Sequence, residues 1–171
     1  MDLSLSFTIS PLRFSDSPRL VHWLNESMIH RTTLSIPFPY GDDNAEQFIE
    51  FANQSESRFG LPTHIAIREG DEQLIGCIGI DNLQVGHCGE LGYWLAKPYW
   101  NRGIMTQCVR EFCETAMTQW QLIRISAHVF VGNQGSARVL GKSGFHLEGT
   151  LRKYYLKESQ SIDAHLYALL P

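Results

Sequence analysis

At 171 residues, with 43% hydrophobic and 19% charged residues, the chain suits one domain with a sizeable core and has the composition of neither a disordered chain nor a fibre. Its formal charge of −4, with fourteen Lys and Arg scattered along the sequence, argues against nucleic acid, whose phosphates need a basic face, and mildly favours a cationic substrate such as an amine. The opening stretch, MDLSLSFTISPLRF, is acidic at position 2 and lacks an apolar run long enough for a signal peptide or membrane helix, so a cytoplasmic protein without membrane attachment is expected.

Thr8 to Phe14 reads as a first strand, confined to a sheet edge by Pro11. Ser17-Pro18 is a helix start, with Ser as N-cap and Pro at the first helical position, running into RLVHWLNESMI with Leu20, Val21 and Leu24 as its buried stripe. Ile36-Pro37-Phe38-Pro39-Tyr40 is an extended loop, since its prolines remove ladder donors, and it is placed to form a lip over a substrate. Asp43 and Glu46 resemble a capping box, opening a helix whose apolar side is Phe48, Ile49 and Ala52 and which ends near Phe59-Gly60. Asp42, Asp43 and Glu46 either attract a cationic acceptor or simply cap that helix.

After Pro62 the chain turns strand-rich. His64 to Arg68, a polar turn at Glu69-Gly70-Asp71, Leu74 to Leu83, a turn at Gly86 and then ELGYWL make three consecutive antiparallel strands. The stretch LGYWLAKPYWNRGIMTQCVREFCETAMTQW (91–120) passes from the last of them through a turn holding Pro98 and Gly103 into a helix. Met105, Val109, Phe112, Ala116 and Trp120 recur at helical spacing, opposite Arg110, Glu111, Glu114 and Gln119. A helix start leaves backbone N–H groups unpaired at the positive end of the macrodipole, which is an anion site. Gly103 either lets the backbone approach a phosphate closely or merely makes the turn. A dinucleotide fingerprint needs more glycines than residues 101–106 offer, and a Walker A loop needs a GK[ST] ending that is absent.

Ile123 to Phe130 is a half-buried strand, VGNQGSARVLGKSGF carries a second helix, and His146 to Leu156 and Ser161 to Leu169 are the last strands. The order predicts a single three-layer α/β domain over 1–171, built on a mixed, mostly antiparallel sheet flanked by helices. Cys77, Cys88, Cys108 and Cys113 contain no CxxC pair, and the histidines form neither HExxH nor HxH, so core thiols and no metal are expected. His64, His87, His128, His146 and His165 read as structural.

Two segments carry a resemblance. Trp100-Asn101-Arg102-Gly103-Ile104-Met105 is similar to the acetyl-coenzyme A loop of the Gcn-related N-acetyltransferase superfamily, and YWNRGIMT resembles the YWGKGYAT of its Rim-type ribosomal-protein alanine N-acetyltransferases. Asn101 replaces a frequent Gly, and Met105 replaces a Gly or Ala and would crowd the coenzyme. Asn133-x-x-Ser136 with Lys142-x-Gly144-Phe145 resembles the family's second segment, although Asn133 also reads as a plain N-cap and Gly144 as a plain helix stop. The resemblance implies strands splayed at the cofactor site and acetyl-coenzyme A as cosubstrate, held by Trp94, Leu95, Ala96, Arg102, Gly103, Ile104, Met105, Thr106, Asn133 and Ser136. It also makes a homodimer possible, with the last strands as one surface.

Acetyl transfer from a thioester needs a neutral amine, a stabilised oxyanion and a thiolate that can be protonated. An α-amine of pKa about 8 is ~10% neutral at pH 7, and a lysine amine of about 10.4 well under ~0.1%, a difference of roughly 3 kcal/mol. A base therefore helps either. The resemblance points to Glu90 as that base through water, against a plain solvated strand residue, and to a backbone N–H between Trp94 and Ala96 for the oxyanion. The tyrosine that many relatives use toward the sulfur is Leu140 here, so Ser136 takes that role, with Tyr155 as partner or else a core tyrosine. The expected activity is acetyl transfer to a primary amine, on a small molecule or a protein N-terminus, by direct attack in a ternary complex. The alternative is a non-catalytic coenzyme-binding module used as a sensor.

Overall fold

The computed structural model describes residues 7–70 and 73–171. Asp71, in the polar turn read from the sequence, and the opening residues Met1–Ser6 lie outside that range. The elements are β1 (Phe7–Pro11), α1 (Ser17–Leu24), α2 (Ser27–Thr32), α3 (Asp42–Phe59), β2 (His64–Glu69), β3 (Gln73–Gln84), β4 (Cys88–Leu95), α4 (Ile104–Gln119), β5 (Arg124–Phe130), α5 (Gln134–Lys142), β6 (His146–Lys157) and β7 (Gln160–Leu169). The seven strands form one open sheet in the order β1-β2-β3-β4-β5-β7-β6, flanked by helices. Pairs β1–β2, β2–β3, β5–β7 and β6–β7 are antiparallel, whereas β4 and β5 run parallel. A parallel pair needs a long crossover, and α4 supplies it.

The chain packs as two compact units, one formed by residues 7–70, 73–79 and 93–104 and the other by 80–92 and 105–171. In the first, Leu20, Trp23, Leu24, Ile29, Ile49, Ala52, Ala66 and Leu74 form a continuous apolar core. Inside it lies an ion pair: Arg68, fully buried, donates to both carboxylate oxygens of Asp16 at 2.6 and 2.8 Å, to Ser10 Oγ at 2.7 Å and to the Pro11 carbonyl at 3.0 Å. In the second, Met105, Val109, Phe112, Ala116 and Trp120 are buried, as the helical spacing requires, together with Ile125, Ala127 and Val129 of β5.

Four sequence expectations shift. The first strand stops at Pro11, and Phe14–Asp16 forms a 3-10 turn, because the Asp16 carboxylate accepts the Arg13 N–H at 2.8 Å as well as Arg68. Asp16 therefore takes the N-cap position, and Ser17 is the first residue of α1. The single helix expected from Ser17 breaks after Leu24, where the Asn25 amide is committed to the backbone of Tyr40, accepting its N–H at 2.9 Å and donating to its carbonyl at 2.8 Å. An Asn that bonds backbone elsewhere competes with helix continuation. At α3 the cap is not the Asp43–Glu46 pair: Asn44 Oδ1 accepts the Gly41 N–H at 2.9 Å, and Asp42 and Asp43 simply lie in the first turn, favoured by the helix dipole. Residues 36–40 are the expected loop, with Phe38 half exposed and stacked on His30 at 4.3 Å.

Three of the four cysteines, Cys77, Cys108 and Cys113, are buried, and among the described residues no cluster of metal-ligating side chains occurs. Among the same residues no helix is long and apolar enough to cross a membrane.

Candidate active site

The end of β4 is set by its neighbour β3. A Cβ placed on Gly76 would stand 2.6 Å from the Trp94 carbonyl oxygen, so only glycine allows the two backbones this approach. The Ala96 N–H donates to the Ile75 carbonyl at 2.8 Å. Trp94 and Ala96 thus turn their backbone groups toward β3, and strand alternation sends those of Leu95 to the opposite side. Of these three residues the Ala96 amide is taken, and Leu95 carries the outward one. Leu95's own carbonyl accepts Trp100 Nε1–H at 2.6 Å, which ties the following turn to the strand end.

In that turn Asn101 has φ +59° and Gly103 φ +78°. Asn is the non-glycine residue that most readily takes this left-handed conformation, so Asn101 preserves the backbone that a glycine would give. A Cβ on Gly103 would meet nothing within 4 Å, so its requirement is conformational. Arg102 is exposed, with its guanidinium 5.5 Å from the centre of the Tyr99 ring, and Tyr99 donates its hydroxyl to Glu69 at 2.7 Å. Burial and the Glu69 carboxylate both raise the Tyr99 pKa, so the phenol keeps its proton. Ile104 and Met105 are buried, at 3% and 6% exposure, so their side chains belong to the core and only their backbone can serve a ligand.

In the second unit, α5 opens with the Asn133 side chain accepting the Ser136 N–H at 3.2 Å, the N-cap read from the sequence. Its far end is fastened to α4: Arg110 donates to the Lys142 carbonyl, and Ser143 Oγ to the Thr106 carbonyl at 3.3 Å. Gly144 follows with φ +91°, as the stop requires, and Leu140 is fully buried, its side chain spent on the core.

Ladder pairing of β4 with β5 covers Cys88–Glu90 against Arg124–Ser126, although both strands run further. At that last pair sits Glu90. Its Oε1 lies 2.7 Å from His128 Nδ1, and its Oε2 accepts from Asn82 Nδ2 at 3.3 Å. His128 therefore has a partner that the sequence did not reveal, as do His64 (Thr63 Oγ1, 3.0 Å), His87 (Gln84 Oε1, 3.3 Å) and His165 (Thr150 Oγ1, 2.9 Å).

Tyr154 and Tyr155 reach the same place from β6. The β6–β7 register jumps between Leu151↔Ala164 and Tyr155↔Ile162, leaving Arg152–Tyr154 bulged, with Lys153 at φ +50° and its N–H on Asp163 Oδ1 at 2.7 Å. Bulges re-aim side chains. Tyr154 stacks on the His128 ring at 5.2 Å, and Tyr155 meets His128 and Phe130 edge-on at 5.9 and 5.8 Å. Burial first, then the charge of Glu90 and the neighbouring Tyr154, push the Tyr155 pKa up to about 12. Neutralising Glu90 as Glu90→Gln should move that phenol back toward its ordinary range, read as an earlier-ionising tyrosine in an alkaline absorbance titration that Tyr155→Phe removes.

The sequence profile described as the acetyltransferase (GNAT) domain matches residues 6–146. The N-acetyltransferase YoaA of Bacillus subtilis is 30% identical over 139 residues, 77% of this chain and 78% of that protein. The L-amino acid N-acetyltransferase AaaT of Escherichia coli is 29% identical over 82% of this chain and 83% of its own length. Among solved structures, a ribosomal-protein-S5-alanine acetyltransferase from Vibrio fischeri superposes with a TM-score of 0.84 at 20% identity, covering 99% of this chain and 95% of that one.

Proposed function

The chain belongs to the GNAT acetyltransferase family, whose members use acetyl-coenzyme A as cosubstrate, and from that premise we propose that it transfers the acetyl group to a primary amine, on a small molecule or a protein N-terminus, in the cytoplasm. The observation that carries the proposal is Glu90, placed at the last paired position of β4 and hydrogen-bonded to His128. A carboxylate held there supplies the basic end of the site. Leu95 N–H receives the carbonyl oxygen as it becomes an oxyanion, and the backbone N–H groups that follow Arg102 and Gly103, with the Arg102 guanidinium, hold the pyrophosphate. Thr106, in the first turn of α4, completes the same cradle, and Asn133 and Ser136 stand beside the pantetheine arm.

Ser136 hydrogen-bonds the departing sulfur. Tyr155 adds a hydrogen bond but keeps its proton, since transfer from a phenol near 12 to a thiolate, whose acid has a pKa of about 8.5, is uphill. The thiolate is instead protonated from the amine side. Steady-state kinetics with acetyl-coenzyme A and an α-amine tests the assignment. Arg102→Ala should weaken coenzyme binding about tenfold or more with an unchanged melting temperature, because an exposed charge-assisted contact is lost. Ser136→Ala should lower kcat by about tenfold and leave the KM for coenzyme nearly unchanged. Equal kinetics for both variants and the wild type would reject these roles.

A further inference from the structure

Beside Glu90 stands a second ionisable side chain, His128. Resting on the transfer reading above, we propose that His128 Nε2 is the group that takes the amine's proton, and that Glu90 acts by orienting the imidazole.

Four observations support it. Glu90 Oε1 lies 2.7 Å from His128 Nδ1, a distance at which the carboxylate accepts Nδ1–H and leaves the lone pair on Nε2. Among the described residues Nε2 has no hydrogen-bond partner, so that lone pair is not spent within the protein. The ring is fixed in orientation by Tyr154 stacked on one face at 5.2 Å and Tyr155 at its edge. His128 also stands two residues past the final β4–β5 pair, Glu90↔Ser126, where the two strands no longer hydrogen-bond to each other.

The step balances without an added reagent. Nε2 takes H⁺ from R–NH3⁺, directly or through one water, and the imidazolium formed is paired with the Glu90 carboxylate. The neutral amine attacks the thioester carbon, forming the C–N bond while the carbonyl π pair moves onto oxygen. Collapse breaks C–S, the sulfur leaves with the bonding pair, and the remaining surplus proton on nitrogen passes to the thiolate. The imidazolium then returns its proton to water.

The role of Glu90 is distinct from direct base catalysis, which leads to a test. The titratable groups in contact with the ring are Glu90 from β4 and Tyr154 and Tyr155 from β6. His128→Ala should lower kcat by about 10²-fold or more, with the KM for acetyl-coenzyme A unchanged. It should also abolish the fall in kcat on the acid side of the pH profile, and millimolar imidazole should restore at least about tenfold of the loss. Long-range ¹H–¹⁵N spectra should find the neutral His128 ring of the wild type protonated at Nδ1, and that tautomer should be lost in Glu90→Ala. A His128→Ala enzyme within threefold of wild type that keeps its acid limb, or a wild-type ring protonated at Nε2, would overturn the proposal, while amine-dependent turnover of the wild type would leave acetyl transfer standing. Wild-type protein that acetylates no amine would instead sink the transfer reading, and the base with it.

Discussion

Asp16→Ala should cost about 3–5 kcal/mol of stability, because it strands the fully buried Arg68 guanidinium without a counter-charge. In a protein of 171 residues that corresponds to a fall of roughly 10 °C or more in melting temperature. Removing a buried charge's partner differs from removing the pair. The Asp16→Leu/Arg68→Met double variant should lie well above Asp16→Ala, since the desolvation that the guanidinium suffers disappears with it. Ser10 Oγ and the Pro11 carbonyl would each lose a donor in that double variant, so it should still fall below wild type. Denaturant unfolding of the two variants and the wild type decides it. A double variant no better than Asp16→Ala would show that the network acts through its hydrogen bonds and not through its charges.

Gly76→Val should damage both folding and catalysis. Its new Cβ would fall 2.6 Å from the Trp94 carbonyl oxygen and 3.2 Å from Leu95 Cα, and a backbone cannot rotate aside as a side chain can. The strands must part, at a cost of about 1–3 kcal/mol by analogy with overpacked cores. The residue displaced is the one whose amide is assigned to the oxyanion. A shift of about 1 Å at a catalytic donor costs on the order of 10²-fold in rate, so kcat should fall by about that factor even where the protein remains folded. Gly103→Ala makes the comparison, because a Cβ there meets nothing and only the positive φ is strained. Its penalty should be about 1–2 kcal/mol in stability, with coenzyme affinity rather than kcat as the kinetic casualty. A Gly76→Val enzyme with wild-type kcat would remove the β4 end from the mechanism.

Most of the fold was legible because it rests on periodicity. The α4 stripe from Met105 to Trp120 and the alternation of Ile125, Ala127 and Val129 are local signals, and both appear as burial. The capping of α5 by Asn133 is equally local. What sequence reading missed depends on pairing between distant segments. Nothing in IRISAHVF tells that Ser126 lies beside Glu90, so the contact of Glu90 with His128 follows only from the parallel β4–β5 register. The alternation did place Ser126, His128 and Phe130 on one side of a strand, which was the available hint. Tyr155 reaches His128 through a bulge in β6 that no turn residue announces, and Arg68 finds Asp16 across fifty-two positions. The break after Leu24 has the same origin: Asn25 is a passable helix residue until Tyr40 claims its side chain.

Release of coenzyme A thiol from acetyl-coenzyme A, measured with and without a panel of α-amines and polyamines, tests the central claim most directly. Acetyl transfer predicts release that depends on an amine, one thiol per amine acetylated, and that drops in both Glu90→Ala and His128→Ala. Tight coenzyme binding with no amine-dependent release for any member of the panel would contradict it, and would mark the chain as a coenzyme-binding module in which the Glu90–His128 pair has no proton to move.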